Sequence, residues 1–197
     1  GALVIACVGT IGYQNNQALL VDAIARAHQI AGGPSFYGVF SGNGEVDGLA
    51  ELIRSQGLAS QLAVRGYTQA SRLIAAEADV LVVPSRAEGQ PMEVLEAFCD
   101  RTLVVASDAP ELSELVTDGI TGCRFAEGNV EALARVLVAV AQRPEADRRA
   151  VVERARRRYE QSHTWRGMLE AYDAEYRVVA PDAMMRPVRR HLRAVNG

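Results

Sequence analysis

Residues 79–98 read DVLVVPSRAEGQPMEVLEAF, an apolar run followed by a polar loop and a second, helically spaced apolar stretch. The apolar run Val80–Val83 predicts a strand buried on both faces, because a half-exposed strand alternates apolar and polar side chains. Pro91 stands where the first turn of a helix tolerates proline, and that helix is predicted to run to about Asp100. The stretch therefore predicts a parallel strand that leads through a short loop into a helix.

The same alternation of short apolar runs and longer amphipathic stretches extends in both directions along the chain. The other predicted strands are 3–8, 36–40, 62–64, 103–106 and 123–125. The other predicted helices between them are 15–31, 45–56, 69–77 and a short one around 114–116. Strands joined by helices form a parallel sheet covered on both faces, with right-handed crossovers. We therefore predict a doubly wound, Rossmann-like α/β sheet that binds ligands beyond the carboxyl ends of its strands.

Beyond residue 128 the pattern predicts only helices. These helices are 129–142, 145–160 and 164–178, followed by a basic tail at 180–197 that we expect to be poorly ordered. The predicted division of the chain is an α/β domain at 1–142, helices at 143–179 that pack on it or cross to another domain, and the tail.

Composition excludes several classes of protein. The chain has 197 residues, 49% of them hydrophobic, which is enough for a globular core. A formal net charge of −3 argues against a nucleic-acid partner. No apolar run reaches the roughly 18 residues of a transmembrane segment, and the start of the chain lacks the basic region of a signal peptide. We expect a domain of a longer protein.

Residue types limit the available chemistry. Cys7, Cys99 and Cys123 are widely separated among apolar neighbours, so we expect free, buried thiols. The three histidines lie far apart, and no metal site is predicted. Every one of the 21 basic residues is arginine, which excludes lysine-dependent chemistry within this chain.

Two carboxylates flank the start of the helix that follows Val80–Val83. Glu88 precedes the helix and Glu96 lies within it, so both can reach one pocket across the loop-to-helix corner. The backbone N–H groups of Gly89 to Met92, except at proline, and the positive end of the helix predict an anion site. Spacing alone leaves a structural alternative open, in which Glu88 only stabilises the helix dipole and Glu96 is a solvated helix residue.

Residues 83–98 resemble the Glu-x7-Glu motif of the retaining glycosyltransferases of family 4, which have the GT-B fold. Other segments resemble family motifs in the expected order and spacing: Val8-Gly9, Ser41-Gly42-Asn43-Gly44, Val64-Arg65-Gly66-Tyr67, Val104 to Asp108, Glu114-Leu115-Val116 and Asp118 to Gly122. The similarity covers about residues 3–140. It implies that the chain is the C-terminal, nucleotide-sugar-binding half of a two-domain GT-B enzyme, with extra helices at its end.

The resemblance gives the two carboxylates separate roles. It implies that Glu96 accepts hydrogen bonds from the ribose, which suits a carboxylate because two vicinal hydroxyls present two donors. Glu88 is implied as the catalytic residue, near the sugar hydroxyls, where its charge favours an oxocarbenium-like transition state. The family retains anomeric configuration and works without a bound metal, stabilising the departing diphosphate with cations and helix ends. The implied co-substrate is a UDP- or GDP-sugar, with no further cofactor.

Other residues complete the implied donor site. Those that would face the sugar and the diphosphate are Gly89, Gln90, Pro91 and Met92. Those in the place where the family holds the base are Tyr67 and the backbone of Arg65 and Gly66. Gln90 replaces the more usual aromatic residue, and this change leaves the sugar unidentified.

The sequence departs from the family at the diphosphate. Thr10 and Asn16 occupy the positions assigned to an arginine and a lysine that contact this group in relatives. Three explanations stay open. Another arginine, Arg86 or Arg65, supplies the charge; the missing N-terminal domain supplies it; or the site is weak, takes a different donor or is non-catalytic.

For the whole enzyme, the resemblance implies sugar transfer to a glycan, a lipid or a small molecule, as in bacterial polysaccharide biosynthesis. The missing N-terminal, acceptor-binding domain is the implied partner, so this fragment alone should be inactive. The implied location is cytoplasmic, with peripheral attachment to the inner membrane as an option for the full-length enzyme. The alternative function is a non-catalytic binding module that kept the fold and lost the cations at Thr10 and Asn16.

Two smaller features have open interpretations. Gly42 and Gly44 suit a tight turn, which we expect to be their role. Trp165, Tyr172 and Tyr176 share one face of the last helix, where they either pack into the core or dock on the missing domain.

Overall fold

The computed structural model describes residues 2–30, 35–68 and 70–180. Its sheet has six strands: β1 (Leu3–Val8), β2 (Phe36–Ser41), β3 (Leu62–Arg65), β4 (Val80–Val83), β5 (Leu103–Ser107) and β6 (Cys123–Phe125). All neighbouring strands are parallel, in the order β3-β2-β1-β4-β5-β6. The predicted doubly wound sheet is confirmed, and its order reverses between β1 and β4, where such sheets open a ligand crevice.

The helices are α1 (Gln17–Gln29), α2 (Val46–Ser55), α3 (Ser71–Ala76), α4 (Met92–Asp100), α5 (Pro110–Leu115), α6 (Val130–Gln142), α7 (Glu145–Ser162) and α8 (Trp165–Val179). Two differ from the prediction. Pro91 caps α4 from outside, because its ψ of 80° is not helical. The short helix α5 begins at Pro110 and ends at Leu115, since Val116 is extended. Residue 31, at the end of the predicted helix 15–31, and nearly all of the basic tail lie outside the described residues.

Alternate residues of the central strands supply two separate cores. Ile5 and Val82 belong to the core on one face of the sheet, beneath α1, α2 and α6. Leu81 and Val104 belong to the core on the other face, with residues of α4 and α5. Burial of both faces explains why the strands are continuously apolar.

The cysteines are only partly as predicted. All three are free, and Cys7 and Cys123 are buried. Cys99 is only half-buried, and its Sγ lies 3.1 Å from Nη1 of Arg156. The prediction of burial was wrong for Cys99, because its thiol contacts a charged guanidinium and belongs to neither apolar core.

The chain forms two compact units, of which the first runs to Glu160 and the second begins at Gln161. Most of α7 belongs to the first unit, where Val151 and Ala155 are buried in its two cores. Helix α8 belongs to the second unit and has no buried residue. No helix in the described part of the chain is both long and apolar enough to cross a membrane.

Helix α8 exposes its aromatic face. Trp165, Tyr172 and Tyr176 are 71%, 57% and 60% exposed, with Met168 and Leu169 exposed beside them. The interpretation of these aromatics as core residues was therefore wrong, since their helix has no buried position.

We expect Trp165→Ala to change the free energy of unfolding by no more than about 0.5 kcal/mol, because the ring is exposed. Phe98→Ala, at a fully buried side chain, should cost about 3–5 kcal/mol. Denaturant titrations followed by circular dichroism test this, since Trp165 is the only tryptophan and fluorescence is lost with it. A comparable loss in both variants would restore the core interpretation.

Candidate functional site

The candidate site lies at the carboxyl ends of β1 and β4, where two loops meet. The β1–α1 loop is residues 9–16 and the β4–α4 loop is residues 84–91. The backbone N–H of Arg86 donates to the carbonyl oxygen of Gln14 at 2.8 Å, and Nε2 of Gln14 donates to the carbonyl oxygen of Ala87 at 3.1 Å. These two bonds join the loops across the point where the strand order reverses.

Two glycines let the loop after β2 approach the β1–α1 loop. A Cβ on Gly42 would stand 1.8 Å from the carbonyl oxygen of Gly9, and one on Gly44 would stand 2.2 Å from that of Ile11. Gly44 also has a φ of 110°, whereas Gly42 has no positive φ. The expected turn role holds for Gly44, but at Gly42 the requirement is close backbone contact.

Of the two predicted carboxylates, Glu88 has the more unusual surroundings. Its Oε1 is buried and accepts no hydrogen bond from any residue that the structure describes. Its backbone N–H lies 3.5 Å from Oε2 of Glu111, in the first turn of α5. Glu96 is half-buried on α4. The pKa of Arg72 is raised mainly by its hydrogen bond to Asp100, and the charge of Glu96 raises it further.

A third carboxyl group, Glu93, lies between them and was not predicted. Burial raises the pKa of Glu93 to about 7. A hydrogen bond from its own backbone N–H lowers the pKa by a smaller amount, and the charges of Glu88 and Glu96 raise it further. Burial also raises the pKa of Cys7, and the charges of Glu93 and Glu88 add to that effect. The carboxyl groups of Glu88 and Glu93 therefore lie near the carboxyl end of β1. The sequence signal that could have identified Glu93 was its spacing from Glu96, because residues 93 and 96 share a helix face.

The raised pKa of Glu93 gives a pH prediction. The folded protein holds this proton more tightly than the unfolded chain, so stability falls as pH rises from about 4.5 to about 7. Glu93→Gln removes this loss, so the free energy of unfolding of the variant relative to the wild type should be greater at pH 8 than at pH 5 by about 2.5 kcal/mol. Urea unfolding at both pH values measures it. Glu170→Gln, at an exposed glutamate of α8, should show no such difference; a pH-independent effect of Glu93→Gln would contradict the prediction.

The remaining residues that were predicted to bind the nucleotide-sugar donor lie at the same edge of the sheet, and most of them are exposed to solvent. Those that are exposed are Thr10, Arg65, Gly66, Tyr67, Gly89, Gln90 and Met92, whereas Pro91 is buried. Tyr67 is 64% exposed just beyond β3, which is separated from β1 by β2. The carbonyl oxygen of Thr10 accepts a hydrogen bond from Nε2 of buried Gln17 at 3.0 Å, which fixes the loop from within.

The two asparagines before α1 have different positions. Asn16 caps α1 in a left-handed conformation and is only 8% exposed, and its Nδ2 finds no hydrogen-bond partner among the described residues. The Nδ2 of Asn15 lies 2.8 Å from the place of a Cβ on Gly9. Asn15 therefore lies beside Gly9 in the turn after β1.

Arg86 contacts the β1–α1 loop with its side chain. Its guanidinium carbon lies 4.6 Å from the ring centroid of Tyr13, and its Nη1 donates to Oε1 of Glu127 at 3.0 Å. Neither Tyr13 nor Glu127 was predicted, because both contacts join residues far apart in the sequence. Among the described residues, no three His, Cys, Asp or Glu side chains are grouped as metal ligands.

The six-stranded parallel sheet with helices on both faces is the Rossmann-like fold of GT-B glycosyltransferases. A glycosyltransferase from Rickettsia africae superimposes with a TM-score of 0.82, at 18% identity over 92% of this chain and 48% of that one. HepE from Anabaena, in complex with UDP and glucose, gives a TM-score of 0.77 at 20% identity, over 88% of this chain and 48% of that one.

The family follows from the sequence comparison. Residues 2–143 match the family described as Glycosyl transferases group 1, and the chain belongs to that family. The lipopolysaccharide core biosynthesis mannosyltransferase LpcC of Rhizobium leguminosarum is 29% identical over 70% of this chain and 40% of its own length. The D-inositol 3-phosphate glycosyltransferase of Mycobacterium tuberculosis is 30% identical over 88% of this chain and 37% of its own. The chain spans about two fifths of these relatives.

Proposed function

We propose that the chain is the nucleotide-sugar-binding domain of a retaining glycosyltransferase. The observation that carries the proposal is the placement of Glu88 and Glu96 around the start of α4, next to the point where the strand order reverses. Such a reversal opens the crevice in which doubly wound sheets bind nucleotides. The crystal complex of the Anabaena protein with UDP and glucose supports a nucleotide and a sugar as ligands.

Glu96 is the proposed ribose ligand. It is half-buried, with buried Leu95 and Ala97 on either side of it, so its position is fixed by the packing of α4. A carboxylate held in this way accepts one hydrogen bond from each of two vicinal hydroxyls. Tyr67 and the Arg65-Gly66 backbone are exposed, as a contact surface for the base requires.

Glu88 is the proposed catalytic residue. Its buried Oε1 has no hydrogen-bond partner among the described residues, which is costly unless a ligand supplies a donor. A sugar hydroxyl is such a donor, and the carboxylate charge would favour an oxocarbenium-like transition state. The exposed Gly89, Gln90 and Met92 stand where a sugar and a diphosphate would contact the loop.

The sequence of the β1–α1 loop favours one other candidate, a binding module that takes nucleotides without transferring a sugar. Residues 9–16 read GTIGYQNN and contain no basic side chain. A departing diphosphate needs compensating charge, and its absence would slow transfer more than it would weaken binding.

Stereochemistry and turnover test both candidates in a two-domain enzyme that contains this chain. Incubation with UDP- and GDP-sugars and a panel of glycan and lipid acceptors, followed by NMR of the anomeric proton, should show a product with the donor's configuration. Glu88→Gln should lose most of this turnover while still binding nucleotide. An inverted product would contradict the retaining mechanism, and nucleotide binding without any transfer would favour the binding module.

A further inference from the structure

The charge around the candidate site is unfavourable to an anion. Three carboxyl groups, those of Glu88, Glu93 and Glu111, lie near the carboxyl ends of the central strands, and burial keeps that of Glu93 partly protonated near pH 7. The β1–α1 loop offers no positive charge to offset them. A nucleoside diphosphate at this edge, as the proposed function requires, therefore needs a cation in addition to the backbone N–H groups at the start of α4.

Arg86 is the arginine that the structure brings to this loop. Its backbone is bonded to Gln14, and its guanidinium lies against the ring of Tyr13, so both ends of the residue contact the loop. The other candidate, Arg65, is exposed at the end of β3, on the far side of β2 from β1. The geometry thus separates two residues that the sequence left as equal alternatives.

The guanidinium of Arg86 has fixed contacts, but not all of its hydrogen-bond donors have a partner among the described residues. Glu127 accepts one hydrogen bond from Nη1, and Nε is buried with no partner among the described residues. A guanidinium carries five donors in a fixed planar fork, which suits the oxygens of a phosphate. The side chains of Arg86 and Glu127 are 35% and 34% exposed, so the ion pair is open to a ligand from solvent.

Glu127 is itself held in place from the neighbouring loop. Its backbone N–H donates to Oδ1 of Asp108 at 2.8 Å, just beyond β5. This bond holds the residue at the sheet edge whether or not its carboxylate contacts Arg86. The carboxylate can therefore release the guanidinium without a rearrangement of the backbone.

We propose that Arg86 supplies the positive charge for the diphosphate of the donor, that Tyr13 orients its guanidinium, and that Glu127 is a resident counter-ion which the diphosphate displaces. This inference rests on the proposed function. It makes Glu127 a competitor of the ligand, so the two members of one ion pair have opposite effects on binding. A pair with a purely structural role would not separate in this way.

Calorimetric titration of the chain with UDP, GDP and ADP, each beside its nucleoside, and with inorganic pyrophosphate tests the inference. Arg86→Gln should weaken the diphosphate that binds by about 10- to 100-fold and change the nucleoside by less than about two-fold. Glu127→Gln should bind the diphosphate about two- to five-fold more tightly, because an exposed ion pair no longer competes. Arg101→Gln, which removes an arginine paired with Glu153, is the matched control and should change neither ligand.

Three outcomes would overturn the inference. Unchanged diphosphate binding in Arg86→Gln, or an equal loss for diphosphate and nucleoside, would remove the charge role while leaving the proposed function intact. Weaker binding in Glu127→Gln, with an unchanged melting temperature, would make the pair a structural element. Failure of every diphosphate to bind the wild-type chain would count against the proposed function itself, and the inference would fall with it.

Discussion

Glu96→Ala is expected to abolish nucleotide binding by a chain that remains folded. The proposed ribose ligand accepts two hydrogen bonds as a charged group, each worth about 1.5–3 kcal/mol, so their loss should weaken binding by about 100-fold or more. The substitution removes a half-buried polar side chain from a helix and gains a residue of higher helix propensity. Isothermal calorimetry with the nucleotide that binds the wild type gives the affinity, and circular dichroism gives the melting temperature.

Glu170→Ala provides the comparison for Glu96→Ala, because it removes a helical glutamate from the exposed surface of α8. Its nucleotide affinity and melting temperature should match those of the wild type. If Glu96→Ala binds nucleotide as tightly as the wild type, Glu96 is not the ribose ligand. If Glu96→Ala binds nothing because it has unfolded, the less disruptive Glu96→Gln, which keeps the shape and removes the charge, decides the role.

Gly42→Ala is expected to destabilise the domain by about 3 kcal/mol or more. The added Cβ would stand 1.8 Å from the carbonyl oxygen of Gly9, so the backbone of one loop must move away from the other. The β1–α1 loop belongs to the proposed diphosphate site, and its displacement should weaken nucleotide binding as well. Urea unfolding measures the first effect and calorimetry the second.

Gly48→Ala is the matched control for Gly42→Ala. Gly48 lies inside α2, and a Cβ there meets no atom within 4 Å. Alanine favours a helix over glycine, so this variant should be more stable by about 1 kcal/mol. Two Gly→Ala changes six positions apart should therefore have opposite signs. A Gly42→Ala protein as stable as the wild type would show that the two loops do not pack this closely.

The sheet could be predicted because each of its strands is recognisable from a short stretch of sequence. Each central strand is a continuous apolar run, and every predicted strand agrees with the observed one to within a residue. The short helix α5 was placed too late in the sequence, because Pro110 at its start gives no apolar periodicity. The close contact of Gly42 with Gly9 was also not predicted, since it depends on how two loops pack and not on either loop alone.

The site was predictable as a set of positions but not as a set of contacts. Glu88 and Glu96 could be proposed from their resemblance to a motif, since their spacing alone left a structural alternative open. The burial that raises the pKa of Glu93 depends on how α4 packs near the end of β1. The contacts of Arg86 with Tyr13 and Glu127 join three loops, which no spacing rule predicts.

The most direct test of the proposed donor site is calorimetric titration of this chain with UDP, GDP, ADP and CMP, each beside its nucleoside. We predict that one diphosphate binds with a dissociation constant of about 1 mM or lower, and more tightly than its own nucleoside. That result would establish a working donor site and identify the base. Binding by none of the four nucleotides would contradict the assignment of this chain as a nucleotide-sugar-binding domain.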